Sequence, residues 1–135
     1  MKHAREKSEA KYDILLKAKE LAGYTLRITS NEKHFPKRYR LTVTNKMQEM
    51  SMNIVEWLVM ANEIYPETKQ DLEERVILQK KARAECRAML TMMEIAAVTF
   101  SIRPETLREW TDKTTKLKNQ VTRWILADKE RFKKV

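Results

Sequence analysis

The stretch from Pro36 to Tyr65 constrains the fold most, because its apolar residues recur with helical spacing. The steps between them are four, three, four, three, four and three residues, through Val43, Met47, Met50, Ile54, Trp57, Ala61 and Ile64. This a/d pattern predicts one amphipathic helix, about 45 Å long at about 1.5 Å per residue. Because the stripe is narrow and long, we expect other long helices to cover it.

The rest of the chain predicts three further helices. Pro36, Pro66 and Pro104 each precede a heptad run, where the fixed φ of proline suits a first turn and its missing N–H costs little. The remaining stripes are Ile14, Ala18, Leu21, Thr25 and Ile28; then Ala82, Cys86, Met89, Met93, Ala96 and Phe100; then Leu107, Trp110, Thr114, Leu117, Val121 and Trp124. We expect a flexible basic arm over 1–7 and helices over about 8–30, 36–65, 67–101 and 104–133. With short connections, residues 8–135 then form an all-α, antiparallel up-down-up-down four-helix bundle.

Local signals add detail to this bundle. Thr68, with Asp71 three residues later, matches a capping box. Gly23 interrupts the first helical pattern at a cost of about 1 kcal/mol against alanine, and it suggests a close helix crossing. Apolar residues off the stripes leave room for subunit contacts, so we expect a homo-oligomer. These residues are Leu41, Leu58, Tyr65, Leu78, Leu90, Val98 and Ile125.

Composition limits the class of protein. The 135 residues suffice for about one domain, and no apolar run approaches the roughly 18 residues of a membrane span. The charged start lacks the apolar core of a secretory signal. Cys86 is the single cysteine and has no partner for an internal disulfide. These features predict a cytoplasmic protein.

The side chains of common catalytic and cofactor sites are missing from the pattern. The histidines are His3 and His34, and neither has a glutamate three residues before it, as a di-iron bundle requires. Cys86 falls on an apolar stripe, which is typical of a small core residue. No Gly-rich phosphate loop, Ser/His/Asp set or cysteine cluster is present. The sequence therefore predicts no enzyme activity, no metal and no cofactor.

Charge is the informative feature for function. Lys and Arg outnumber Asp and Glu by 28 to 19, which gives +9. This excess favours an anionic partner, namely nucleic acid, an acidic protein surface or anionic lipid, although a solvated basic surface is the simpler alternative. Lys37, Arg38 and Arg40 open the second helix, Lys46 follows, and the first acid is Glu49. Cations there oppose the helix dipole, and a bound phosphate would compensate them.

Two further rows lack acids at helical spacing. Lys80, Arg83 and Arg87 share one side of the third helix. The fourth helix carries a row of Lys113, Lys116, Gln120 and Arg123. Either row could follow a nucleic-acid backbone or form a solvated face. Because Trp57, Trp110, Trp124 and Phe100 fall on core stripes, we expect binding through the backbone with weak sequence preference. The candidate binding residues are Lys37, Arg38, Arg40, Lys46, Lys80, Arg83, Arg87, Lys116 and Arg123.

Short motifs in the second helix resemble those of a known family. Phe35-Pro36-Lys37, Arg38-Tyr39-Arg40-Leu41-Thr42 and Ser51-Met52-Asn53-Ile54-Val55-Glu56 resemble the signature of four-helix-bundle proteins encoded in ribosomal-RNA intervening sequences. Their relatives include Avd, the accessory variability determinant of diversity-generating retroelements. The chain length and the late Trp124-Ile125 also resemble the Avd branch. The intervening-sequence branch has glycine where this chain has Arg40 and Trp57, which favours Avd.

The resemblance implies a homopentameric barrel of bundles with a basic surface. It also implies binding to a reverse transcriptase and its template RNA or cDNA during mutagenic retrohoming. We therefore expect a non-catalytic nucleic-acid-binding accessory protein. One alternative is an oligomeric protein-interaction scaffold of the intervening-sequence family without nucleic-acid binding. A basic amphipathic C-terminal helix on a membrane surface is a third reading.

Overall fold

The structure consists of four α-helices that pack against one another. A computed structural model describes the backbone of residues 2–135 and the side chains of residues 13–135. Its α-helices are α1 (Lys2–Thr29), α2 (Asn45–Glu63), α3 (Lys69–Thr99) and α4 (Pro104–Arg131), and residues 2–135 contain no strand. Each helix packs against the next along the chain, and α4 packs against α1. The all-α fold with four helices is therefore confirmed.

The first helix begins earlier than its apolar stripe. Helix α1 starts at Lys2 instead of near Ser8, so Lys2–Lys7 are helical. The physical reason is local, because residues 2–10 contain neither Pro nor Gly and are rich in Lys, Arg, Glu and Ala, which favour helix. Met1 of the predicted arm lies outside the described residues.

The second helical run begins in two irregular steps. Lys37–Tyr39 form a 3-10 turn, Arg40–Thr44 form a π-helical segment, and regular α2 starts at Asn45. Pro36 has an extended ψ of 137° and starts the run, as predicted. The aromatic rings of Phe35 and Tyr39 pack against Phe100, with centroids 5.7 and 5.4 Å apart. Both rings are thus held against the end of α3 in the stretch of chain that precedes regular α2.

The heptad stripes meet in one core. Their most central members are fully buried, among them Ile54 of α2, Met89 of α3 and Leu117 of α4. Val43, Trp57 and Ile64 lie at the edge of the core and are only half-buried. None of the described helices has a stretch long and apolar enough to cross a membrane.

The predicted capping box is present at the start of α3. The Asp71 N–H donates to Thr68 Oγ1 over 3.1 Å, and the Asp71 carboxylate accepts from the N–H groups of Glu67 and Thr68, each over 3.1 Å. These backbone hydrogen bonds, first that of Glu67 and then that of Thr68, lower the pKa of Asp71. The cap therefore stabilises the start of α3 while Asp71 is ionised.

The apolar residues off the stripes divide into two groups. Leu58 and Ile125 are buried in the core and leave no surface for a second subunit. This part of the sequence argument for oligomers was wrong, because both side chains point between helices beside the main stripe. Leu41 and Val98 are 85% and 87% exposed, and Tyr65 is also exposed. Leu78 and Leu90 are half-buried.

Gly23 does not mark a close helix crossing. The residue is exposed, its φ is not positive, and a Cβ built there meets nothing within 4 Å. We expect Gly23→Ala to raise the free energy of unfolding by about 1 kcal/mol, because alanine loses less backbone entropy in a helix. Urea denaturation followed by circular dichroism measures this change. Lys19→Ala, at an exposed site on the same helix, is the control and should change stability by only a few tenths of a kcal/mol. No gain from Gly23→Ala would contradict the open site.

Cys86 is a core residue, as its stripe position predicts. Burial raises the pKa of its thiol to about 12, so almost no thiolate forms near neutral pH. We expect Ellman's reagent to label the native protein only at the rate at which the core opens, and to label it quickly in urea. A Thr91→Cys variant, with its thiol at an exposed position of α3, is the positive control. Equal rates for Cys86 in native and denatured protein would contradict the burial.

Candidate nucleic-acid interface

The connection between α1 and α2 is anchored to the far end of the core. Phe35 is buried and packs edge-to-face on Phe100 and Trp110, with centroids 5.7 and 5.9 Å apart. The indole N–H of Trp110 donates to Thr25 Oγ1 over 2.9 Å. His34 Nδ1 hydrogen-bonds with the carbonyl oxygen of Ser101 in the α3–α4 connection. The cationic residues that follow Pro36 therefore lie beside a segment that is fixed to the core by packing and hydrogen bonds.

Three of the predicted cations here point into solvent. Lys37, Arg38 and Lys46 are exposed, and none forms an ion pair with a carboxylate among residues 13–135. The Arg38 guanidinium lies 4.9 Å from the centroid of the Tyr39 ring, which orients it without neutralising its charge. We call Lys37, Arg38 and Lys46 the entry cluster.

Arg40 differs from the entry cluster. Its Nη2 lies 3.0 Å from Glu32 Oε1, and both side chains are about half exposed. Exposed ion pairs of this kind contribute about 0–1 kcal/mol, so the pair is weak. It nevertheless supplies Arg40 with a carboxylate from the same chain. Arg40 is therefore a poorer candidate for a phosphate contact than its neighbours.

The entry cluster is not placed at the start of a regular α-helix as the sequence predicted. Lys37 and Arg38 belong to the 3-10 turn, and Lys46 lies in the first turn of α2. The unfavourable dipole interaction therefore applies directly only to Lys46, since the dipole acts within the first turn. The argument for a polyanion at Lys37 and Arg38 rests on their exposure and lack of carboxylate partners.

The row on α3 mixes cations with apolar side chains. Lys80 and Arg87 are exposed, whereas Arg83 is half-buried. None of the three pairs with a carboxylate of the described residues. Ile77 and Val98, on the same helix, are also exposed. This face suits a partner with apolar surface at least as well as a phosphate backbone.

The row on α4 is not free of acids. Lys113 Nζ lies 3.7 Å from Glu109 Oε1, and Gln120 Nε2 donates to Asp13 Oδ2 over 2.7 Å. Lys116 and Arg123 line a groove of about 630 Å³ between α1 and α4. The acidic side chains that line the same groove are Glu20, Glu105, Glu109 and Asp112. The prediction of an acid-free row was wrong because Glu109 lies one turn before Lys113 and because packing brings α1 against α4.

The predicted binding residues therefore lie in different places. Arg40 lines a cavity where α1 meets α2, Lys80 lines a depression between α3 and α4, and Lys116 and Arg123 line the α1–α4 groove. The entry cluster is the set with exposed, unpaired cations and no nearby acid in sequence, since no Asp or Glu occurs between Glu32 and Glu49.

Sequence reasoning missed a buried polar cluster between α3 and α4. Arg75 donates to both carboxylate oxygens of Asp128, over 2.8 and 3.2 Å, and to the Ile64 carbonyl oxygen over 2.9 Å. Gln79 Nε2 donates to Asp128 Oδ2 over 2.6 Å. The signal was available, because Arg75 and Gln79 continue the α3 stripe towards the N-terminus. Asp128 likewise continues the α4 stripe one step beyond Trp124.

The described side chains contain no group of His, Cys, Asp and Glu residues placed to hold a metal ion. The chain matches no family model, and neither a curated protein nor a solved structure is significantly similar to it.

Proposed function

We propose that the protein is a non-catalytic nucleic-acid-binding accessory protein. The observation that carries this proposal is the entry cluster, whose exposed cations have no carboxylate partner among residues 13–135. Unpaired Lys and Arg side chains on a supported surface attract phosphate, and the release of counterions from the nucleic acid drives binding. The net charge of +9 acts in the same direction at long range.

Binding through the backbone is the mode that these residues support. Trp110, Trp124 and Phe100 are buried and offer no ring for base stacking, whereas Trp57 is half-buried and Tyr65 is exposed. Lys and Arg contacts to phosphate position a strand but do not read its sequence. In the proposed function, the protein therefore binds RNA or cDNA by electrostatic contacts and supplies no catalytic group.

The resemblance to Avd extends the proposal to a partner enzyme. In this view the protein acts in the cytoplasm within a diversity-generating retroelement. It holds template RNA or cDNA against a reverse transcriptase during mutagenic retrohoming. Neither a metal nor a cofactor has a role in this function.

The proposal includes an antiparallel bundle that assembles into a ring-like homo-oligomer, a pentamer by resemblance. Contacts between α1 and α4 support the antiparallel order. Asp13 bonds to Gln120, whereas Tyr24, further along α1, bonds to Thr106 and Glu109, earlier in α4. Exposed apolar residues on α2 and α3 support assembly. They are Met52, Val59, Met60, Ile77, Ile95 and Val98.

A protein-interaction scaffold is the second candidate. The exposed Ile77 and Val98 on the basic α3 face favour it, because apolar side chains add nothing to a phosphate contact. In that case Lys80 and Arg87 would meet acidic residues of a partner.

A salt titration distinguishes these two functions. For nucleic-acid binding we expect RNA or DNA to co-purify at low salt. We also expect the logarithm of the affinity for labelled single-stranded RNA to fall linearly with the logarithm of salt concentration, by about 0.7 for each phosphate neutralised. An ultraviolet absorbance ratio of pure protein, with no RNA bound at low salt, would refute the proposal and favour the scaffold. Sedimentation with anionic vesicles tests the membrane alternative. We expect no protein to sediment with the vesicles.

A further inference from the structure

A small cavity lies where the end of α1 meets the π segment before α2. Its volume is about 310 Å³, at the lower end of the range of about 300–1,000 Å³ for small-molecule sites. The entry cluster flanks this region in sequence, with Lys37 and Arg38 in the 3-10 turn before the π segment and Lys46 in the first turn of α2 after it. π-Helical turns occur frequently at functional sites.

Thr44, in the wall of this cavity, has a buried hydroxyl without a partner. Other helical threonines donate to the carbonyl oxygen four residues earlier, as Thr25, Thr29 and Thr114 do over 2.8, 2.6 and 2.9 Å. For Thr44 that oxygen belongs to Arg40, and it accepts from the Asn45 N–H in the π pattern. Thr44, a residue that is only 5% exposed, thus lacks the carbonyl partner that these other threonines have.

An unsatisfied buried hydroxyl destabilises the folded protein, so a ligand that bonds to it gains affinity. Threonine populates two χ1 rotamers in helices, and the exchange places its hydroxyl where its methyl group was. Because the hydroxyl itself is buried, a ligand in the cavity that Thr44 lines would require this exchange in order to bond to it.

The lining favours a neutral, flat ligand with hydrogen-bonding groups. Its charged side chains, Arg40 and Glu32, neutralise each other at 3.0 Å, so an isolated anion gains little there. Asn45 makes no side-chain hydrogen bond to a described residue, and Gln48 uses its amide N–H on Thr29 but leaves its oxygen free. Phe35 supplies an apolar wall. An amide offers a donor beside an acceptor, which matches the edge of a nucleobase.

We propose that this cavity receives one unstacked nucleobase of a single strand whose phosphates lie on Lys37, Arg38 and Lys46. The inference rests on the proposed nucleic-acid binding and adds a base contact to it. Asn45 and Thr44 bond to the edge of the base. The strand thereby gains a fixed register, although its phosphates supply most of the affinity.

The test compares a short single-stranded RNA with a strand of equal length and charge that carries abasic positions. For the native protein we expect the abasic strand to bind roughly threefold to tenfold more weakly, as one or two lost hydrogen bonds imply. Thr44→Val and Asn45→Ala should each reduce this difference and leave affinity for the abasic strand unchanged. Thr42→Val, at an exposed position of the same π segment, is the matched control and should keep the difference.

The outcomes separate the two proposals. Equal affinity for both strands, unaffected by Thr44→Val, would overturn the base site and leave the proposed function standing. If neither the intact strand nor the abasic strand binds, the proposed function is overturned. A second measurement then decides the base site, by titrating adenosine 5′-monophosphate and following the side-chain amide resonances of Asn45 and Gln48. Saturable shifts that inorganic phosphate does not produce support the site, and their absence overturns it.

Discussion

Reversal of Lys37, Arg38 and Lys46 to glutamate is expected to weaken single-stranded RNA binding roughly a hundredfold at about 0.1 M salt. The magnitude follows from counterion release, in which each phosphate contact on a single strand contributes a salt slope of about 0.7. Loss of three contacts then removes about two powers of ten at this salt concentration. The salt slope itself should fall by about two.

The matched control carries the same change in net charge elsewhere. Lys19, Lys69 and Lys134 are exposed and form no ion pair with a described residue. Their reversal to glutamate should reduce RNA affinity only through the long-range field, and much less than the entry-cluster variant. Fluorescence anisotropy across a salt series measures both affinities, and circular dichroism confirms the helical content. Equal losses in the two variants would show that net charge, and not the entry cluster, binds RNA.

Asp128→Ala is expected to lower the free energy of unfolding by about 3–5 kcal/mol, the largest loss of stability predicted for this chain. Arg75 and Asp128 are 1% and 2% exposed. Removal of the carboxylate leaves the Arg75 guanidinium buried without its counter-charge, and such losses cost about this much. Gln79 loses its hydrogen-bond acceptor in the same step. Since domains are stable by only about 5–15 kcal/mol, the variant should be close to unfolding.

The double variant Arg75→Met with Asp128→Leu separates the unpaired charge from the pair itself. Replacement of both charges by apolar side chains of similar size is often neutral or stabilising, so we expect it to be more stable than Asp128→Ala. Glu130→Ala, near the end of α4, removes the exposed ion pair with Lys133 and should cost at most about 1 kcal/mol. Urea unfolding followed by circular dichroism measures all three variants. A loss from Asp128→Ala no larger than that from Glu130→Ala would contradict the argument.

Local chemistry determined several features that could be predicted from the sequence. Thr68 and Asp71 form the capping box because their spacing suffices for reciprocal hydrogen bonds. Pro104 begins α4 because its ring excludes a preceding helical turn and suits the first position. Cys86 is buried because its stripe position faces the core.

The candidate site was harder to predict, because exposure and pairing depend on distant parts of the chain. Arg40 was grouped with Lys37 and Arg38, yet folding brings Glu32 to it across the turn. The α4 row lies beside Glu109 of its own helix, and the packing of α1 adds Asp13 and Glu20 to its surroundings. A one-dimensional charge pattern contains no information about which carboxylate from another helix lies nearby.

The sequence by itself determined that the chain is all-helical with four helices, because heptad spacing, prolines and caps act within a few residues of each other. Only the tertiary structure showed that regular α2 starts at Asn45, after a stretch in which Phe35 and Tyr39 pack on Phe100. It also decided that Arg75 and Asp128 are buried together, and that the Thr44 hydroxyl has no carbonyl partner. The reason is physical, since hydrogen bonds within a helix depend on near neighbours in sequence, whereas burial and charge pairing depend on which helices meet.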